Sequence, residues 1–298
     1  MKMLVLTLAL ILTGMLRCKA QQRTFVLATY TYATNNRLQN IEPLASYLSK
    51  KTRYSIRAIS YPTVASLIQA ILNDSVDLAM INTSGYLLLQ RNHPGLVQPL
   101  VNLDMGNRFS TNYGGCLIAA RDLGVSSIEA VQNNKRRYTL AMVNPSSTSG
   151  NLVPRLLLNS KAIPDADAVF NLRYTGTHRK AVEDVLNGHV DLAGCSCSEI
   201  DSARKHASFD KKAIVLDSFN NIPLGPIVFN KRYDAKLAKM ITRQLLKLHL
   251  ESPAVLTQFC NGWTEFKQAK RFKKVSDKEY DAFRALFGNN LRLWKLIE

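Results

Sequence analysis

The sequence predicts an α/β protein of two lobes, each a mostly parallel sheet flanked by helices, with a ligand cleft between the lobes. Three observations carry that prediction: an internal repeat, the polar segments that follow the repeat's strands, and a strand–loop–helix unit ahead of each copy. In the repeat, Leu67 to Ala79 aligns without a gap with Ala181 to Ala193, and both copies end in Val-Asp-Leu-Ala, at Val76–Ala79 and Val190–Ala193. Apolar residues recur at i, i+1, i+4 and i+5, which predicts an amphipathic helix stopping at Asn73-Asp74 in one copy and Asn187-Gly188 in the other. A short apolar strand follows, and it runs into Asn82-Thr83-Ser84-Gly85 or Ser196-Cys197-Ser198-Glu199. In open α/β sheets ligands collect at the carboxyl ends of strands, which makes Asn82, Thr83 and Ser196 candidate contacts.

Taken in chain order, the 298 residues are enough for two domains. Met1-Lys2, the apolar run Met3 to Leu12 and Cys18-Lys19-Ala20 predict a signal peptide over 1–20, cleaved after Ala20. Its apolar stretch falls short of the roughly 20 residues a spanning helix needs. Cys18 offers a lipid-anchor alternative, although Arg17 stands where a lipobox has a small residue. Thr24 to Tyr30 reads as a strand leading to Tyr32-Ala33-Thr34, then a helix with Ile41, Leu44 and Leu48 on one face, then a strand over Ser55 to Ser60. The second half repeats this with Tyr138 to Val143, a polar loop, and a helix containing Leu152, Val153 and Leu156 to Leu158.

Tyr113 to Ala120 and Pro226 to Asn230 read as strands at the crossings between lobes, giving lobe 1 as 21–118 with 227–298 and lobe 2 as 119–226. Helices over Ala235 to Glu251, Pro253 to Gly262 and Asp277 to Phe287 are expected to return to the first lobe. No low-complexity linker joins the lobes, which favours closure about short hinges.

The net charge is +17, and Lys2, Arg17 and Lys19 carry three of those charges, leaving +14 in the mature chain. Such a balance draws anions and acidic surfaces. Lys267, Lys270, Arg271, Lys273 and Lys274, with Phe266 and Phe272, predict one basic helix face, either solvated or set against anionic lipid or a partner. No nucleic-acid motif accompanies the charge, and an export signal argues against that partner.

Cys116, Cys195, Cys197 and Cys260 remain after cleavage and allow three full pairings. A bridge between Cys195 and Cys197 would be strained, since residues two apart in a strand point the same way. No Cys or His at zinc-site spacing supports a metal. No nucleophile, base and orienter form a recognisable set, so no enzyme is expected; the residue types Cys195, Cys197 and His178 are all that an enzymatic reading can offer.

The sharpest local signal is Asn144-Pro145-Ser146-Ser147-Thr148-Ser149-Gly150 ahead of a helix. A helix N-terminus presents unpaired N–H groups and partial positive charge, and hydroxyls placed there make an anion cradle that needs no full positive charge. Ordinary capping explains one hydroxyl. It leaves three in succession and the glycine that lets a ligand approach the backbone unexplained.

Ser147-Thr148-Ser149-Gly150 with Leu152-Val153-Pro154 resembles the phosphonate-binding motif of the periplasmic phosphonate-binding proteins of ABC transporters, whose relatives bind phosphite and phosphate. Pro43 to Ser49 resembles their first helix and Val76 to Ala79 their second strand; His178, Ile222-Pro223, Pro226 and Tyr280 also match, so the likeness spans Thr24 to Leu286. It implies a type II periplasmic-binding-protein fold and a small oxyanion held by Ser147, Thr148 and Ser149, with Tyr113 from the other lobe and His178 contributing. It further implies no cofactor, an ABC permease of the inner membrane as partner, a monomer, and a periplasmic or otherwise exported location. A sensor using the same fold is the alternative. The family's acidic partners for a ligand amine are missing: Ser196 to Ser198 fill one place and Gly225 falls near the other. The expected ligand is therefore an oxyanion without a required amine. For the aromatic residue before the first repeat helix, Tyr61 is the nearest candidate.

Overall fold

A computed structural model describes residues 23–106, 113–134, 136–205, 209–266, 268–288 and 291–295. The expected signal peptide, Cys18 and Lys267 lie outside the described residues. The strands are β1 Phe25–Tyr30, β2 Ile56–Tyr61, β3 Leu78–Met80, β4 Val97–Asp104, β5 Gly115–Ala120, β6 Thr139–Met142, β7 Asn171–Tyr174, β8 Leu192–Ser196, β9 Ala213–Phe219, β10 Ile227–Asn230 and β11 Arg271–Lys274. The helices are α1 Leu38–Thr52, α2 Val64–Leu72, α3 Thr83–Asn92, α4 Ile128–Gln132, α5 Val153–Ser160, α6 Ala166–Val169, α7 His178–Leu186, α8 Cys197–Arg204, α9 Phe209–Lys212, α10 Ala235–Glu251, α11 Pro253–Cys260, α12 Asp281–Ala285 and α13 Leu291–Lys295.

Two sheets form, in the orders β11-β4-β10-β3-β1-β2 and β7-β6-β8-β5-β9. Removing the edge strand β11 leaves the same wiring in both, with β2, β1 and β3 matching β7, β6 and β8. The sheets are mixed. The parallel pairs expected from the repeat are confined to those three strands, and the strands entered at the crossings, β10 and β5, lie antiparallel to β3 and β8. β5 pairs along its length with β8 and β9, so the sheet change precedes Gly115 rather than falling at 118.

The repeat motif has a structural job. Asp77 accepts the β1 amide of Val26 at 2.7 Å and pairs with Arg23 at 2.8 Å. Asp191 accepts the β6 amide of Thr139 at 2.7 Å and pairs with Arg136 at 2.8 Å. Each aspartate thereby ties the repeat strand to the start of the strand beside it. The repeat helices also match at their ends: Thr63 and Thr177 cap the N-termini of α2 and α7, and the left-handed residues Asp74 (φ 62°) and Gly188 (φ 70°) follow their C-termini.

α1, α10 and α11 bury their apolar faces on one side of the first sheet, where Leu27, Leu78, Phe229, Ile41, Leu44, Ile241 and Phe259 are inaccessible. Residues 277–287 form a 3₁₀ turn (Asp277–Tyr280) and the short α12 rather than one helix. They clamp α3 and the return crossing: Tyr86 donates to Asp277 at 2.7 Å, Tyr280 donates to the Leu224 carbonyl at 2.8 Å, and Phe283 packs against Phe219. The basic segment expected to be a helix is the edge strand β11, paired with β4. Phe272 is buried while Arg271, Lys273 and Lys274 are exposed, and lysines on an open edge discourage pairing with another chain.

Cys116 of β5 and Cys197 at the start of α8 form a disulfide, while Cys195 and Cys260 are buried free thiols. Among the described residues no helix is long and apolar enough to cross a membrane.

Candidate functional site

The parallel units aim their helix N-termini into one cleft of about 460 Å³ between the sheets. From the first sheet come the end of β1, Thr63 at the start of α2, and Asn82 at the start of α3; from the second come Ser147, His178 at the start of α7, and Ser196 at the start of α8. Side chains of Thr63, Asn82, Ser147 and Thr177 cap these helix or turn starts, and helix N-termini bring partial positive charge to the cleft at several points.

Ser147 caps the π-helical turn Thr148–Leu152 that leads into α5, accepting from the Gly150 amide at 3.1 Å. The hydroxyl of Thr148 accepts from the Ser84 amide at 3.1 Å and donates to the Ser84 hydroxyl at the same distance. The Tyr113 phenol lines the cleft with Thr148 and Ser149, and burial pushes its pKa well above its ordinary value. A Cβ on Gly150 would stand 2.3 Å from Val143 Cγ2 and 2.8 Å from His178 Cε1, so the glycine makes room for the imidazole as well as for a ligand.

His178 accepts the Ser196 amide proton at Nδ1, 2.9 Å away, and its own amide donates to the Tyr32 phenol at 3.2 Å. Burial lowers its pKa to about 4. The ring is therefore neutral near pH 7, and with Nδ1 accepting, the proton sits on Nε2. Burial likewise raises the Tyr32 phenol to about 12, so both groups face the cleft as neutral hydrogen-bond partners.

Seven of the nine expected residues line the cleft: Tyr113, Ser147, Thr148, Ser149, His178, Asn82 and Ser196. Thr83 does not; it is buried and donates to the Pro223 carbonyl, anchoring the return crossing. Tyr61 ends β2 opposite Tyr30, and the residues after it, Pro62 and Thr63, reach the cleft in its place.

Sequence reasoning missed Tyr30, Tyr32, Arg37, Ser84, Ser146, Ser198 and Glu265, which also line the cleft. Ser84 and Ser146 were legible as members of the two polar runs. Arg37 was not. It is 3% exposed, in the left-handed region at φ 58°, donates from Nε to the Gly262 carbonyl at 2.8 Å, and lies 4.7, 5.3 and 4.5 Å from the rings of Tyr30, Tyr32 and Trp263. A full positive charge thus stands in the wall of a site that the sequence furnished with dipoles alone. Glu265 arrives from the C-terminal segment and is the one carboxylate among the described lining residues. At Gly225, near one family position for an acid, a Cβ would lie 2.1 Å from the Ile81 carbonyl oxygen, so no side chain fits there.

The lobes are bridged on two sides. Asn82 Nδ2 and Ser84 Oγ donate to the Ser146 carbonyl at 2.8 and 2.9 Å, and Tyr32 accepts from His178. The crossings run side by side, with the Ile222 amide donating to the Tyr113 carbonyl at 3.3 Å.

The family model described as "ABC transporter, phosphonate, periplasmic substrate-binding protein" matches residues 27–280. The phosphonates-binding periplasmic protein of Escherichia coli K12 is 24% identical over 250 residues, covering 83% of this chain and 72% of that protein. Among solved structures, a binding component of an ABC phosphonate transporter from Pseudomonas aeruginosa superposes with TM-score 0.68 at 20% identity, over 89% of this chain and 86% of that one. A Prochlorococcus marinus protein solved with methylphosphonate gives 0.69 at 14% identity, over 91% and 100%. These structures share the two-lobed fold expected from the sequence, and the family consists of substrate-binding proteins rather than enzymes. The chain belongs to the family of periplasmic substrate-binding proteins of phosphonate ABC transporters.

Proposed function

We propose that the protein captures an oxyanion of the phosphonate type that carries an organic group, and delivers it to an ABC permease of the inner membrane. One observation carries the ligand class: the cleft keeps about 460 Å³ although hydrogen bonds already bridge the lobes. That volume lies in the roughly 300–1,000 Å³ range of organic-ligand pockets, more than bare phosphate or phosphite fills. Pro62, Val64, Ala65, Ile68 and Leu88 supply an apolar wall from α2 and α3, suited to the organic group. Thr148, Ser149, the Tyr113 phenol and the Nε2–H of His178 supply the anion's partners on the other side. Arg37 offsets Glu265, so the cleft makes no net demand for an ammonium.

The lobes close about the paired crossings at Tyr113–Gly114 and Asn220–Pro226, and the chain works as a monomer after cleavage at Ala20. Intact-mass measurement of the exported protein separates that cleavage from acylation at Cys18. Titration calorimetry against phosphate, phosphite, methylphosphonate and longer alkylphosphonates tests the ligand class. Heat with the alkylphosphonates and little with the inorganic ions supports it. Absence of heat across the panel, with no rise in melting temperature, refutes it.

A further inference from the structure

Outside the cleft, α10 and β11 build a basic face. Lys236, Lys239, Arg243, Lys247 and Leu250 are all exposed, and their spacing of three or four residues places them in one stripe along the helix. Beside the stripe runs a groove of about 540 Å³ between α10 and strands β4 and β11. Lys239, Arg243, Lys247 and Lys274 rim it, Pro99, Leu100, Ala238, Leu246 and Val275 floor it, and no carboxylate is among its lining residues. Lys239, Arg243 and Lys274 have no ion-pair partner among the described residues, and Lys247 stands 3.9 Å from Glu251.

One further observation bears on what this face meets. Leu250 is 75% exposed, the most exposed large apolar side chain among the described residues, and it sits at the far end of the stripe.

We propose that the α10–β11 face lies against an anionic phospholipid surface, the lysines and arginine on the headgroups and Leu250 in the interface. At about 1.5 Å per residue the stripe runs roughly 20 Å, a line of charge that suits a continuous anionic plane better than one acidic peptide. Basic side chains with an apolar neighbour are the combination that holds a protein at such a surface. An exported substrate-binding protein that rests on the membrane searches for its permease in two dimensions instead of three.

The test uses the protein as a bacterial host exports it, with Cys18→Ser throughout to remove any acyl contribution. It is sedimented with vesicles of phosphatidylglycerol and phosphatidylcholine in equal parts, and with phosphatidylcholine alone. The expected result is binding to the anionic vesicles only, lost in about 1 M salt, where the Debye length falls to about 3 Å. Lys239→Glu with Arg243→Glu and Lys247→Glu should weaken binding at least tenfold, and the corresponding three glutamines should weaken it in the same direction. Arg173→Glu with Lys205→Glu and Lys211→Glu, the same charge change on the other lobe, should leave it intact. Melting temperature and ligand affinity, unchanged in all variants, confirm folding. Equal binding to both vesicle types, no binding to either, or equal losses from the two sets of reversals would overturn the proposal. So would a stripe whose reversal abolishes capture of an acidic protein partner but not of vesicles.

Discussion

The amide of Ser196 donates to Nδ1 of His178 at 2.9 Å, joining the first turns of α7 and α8 and fixing which imidazole nitrogen carries the proton. That bond exists only while the ring is neutral, because a protonated imidazole has no acceptor. The helix that follows the second repeat strand thus sets the tautomer of a residue in the helix before it, and leaves Nε2–H as the ring's donor.

The pH dependence follows from this geometry. The folded pKa of His178, about 4, lies below its ordinary 6.5, so between those values the unfolded chain takes up a proton that the folded one refuses. Stability from this residue is fully present above pH 6.5 and is lost as pH falls through 6.5 toward 4, with an upper bound of about 3 kcal/mol. Thermal melts of the ligand-free protein from pH 7 to pH 4 should show this fall, and His178→Gln should flatten it. An equal slope in the variant would show that other groups carry it.

Thr148 and Ser149 are expected to act on binding far more than on folding. Each hydroxyl removed costs a hydrogen bond to charge of about 1.5–3 kcal/mol, so Thr148→Ala with Ser149→Ala should weaken alkylphosphonate binding at least about a hundredfold. Calorimetry on the double variant decides the point; near-normal affinity would displace the anion from the cradle.

Glu265 separates two ligand chemistries. It stands with Arg37 at the phenols of Tyr30 and Tyr32, opposing it in sign. If the ligand brings no cation, Glu265→Gln removes a repulsion and methylphosphonate should bind equally or several-fold tighter. Affinity for an aminoalkylphosphonate that exceeds the alkyl analogue's in the native protein, and collapses in the variant, would reassign Glu265 as an ammonium partner.

The Cys116–Cys197 bridge spans 81 residues and pins the start of α8, hence Ser196 and Ser198, to β5. Closing a loop of this size constrains the unfolded chain, and Cys116→Ala with Cys197→Ala should cost about 2–5 kcal/mol. Calorimetric melts of the variant should show the loss, with weaker ligand binding. Thiol labelling should find neither Cys195 nor Cys260 reactive until denaturation, since burial pushes the first thiol well above its ordinary pKa and the second up to about 12.

The repeat, its caps and the hydroxyl run were legible because each is local: Asp74 and Gly188 stop helices by their own backbone, and Ser147 caps a turn three residues away. The basic segment over 266–274 was misread as a helix face because charge and scattered aromatics have no decisive period. Phe272 becomes a strand residue only when β4 offers its edge.

By itself the sequence determined two similar α/β halves, the polar helix starts between them and the hydroxyl run Ser147 to Ser149 that lines the cleft, since these depend on neighbours a few residues apart. Only the tertiary structure decided that Arg37 and Glu265 share the cleft, that Thr83 and Tyr61 do not line it, and that Cys116 meets Cys197. Those outcomes depend on how distant segments pack. Return of the C-terminal segment to the first lobe places Glu265 beside a cleft whose Ser147–Ser149 run comes from the second lobe.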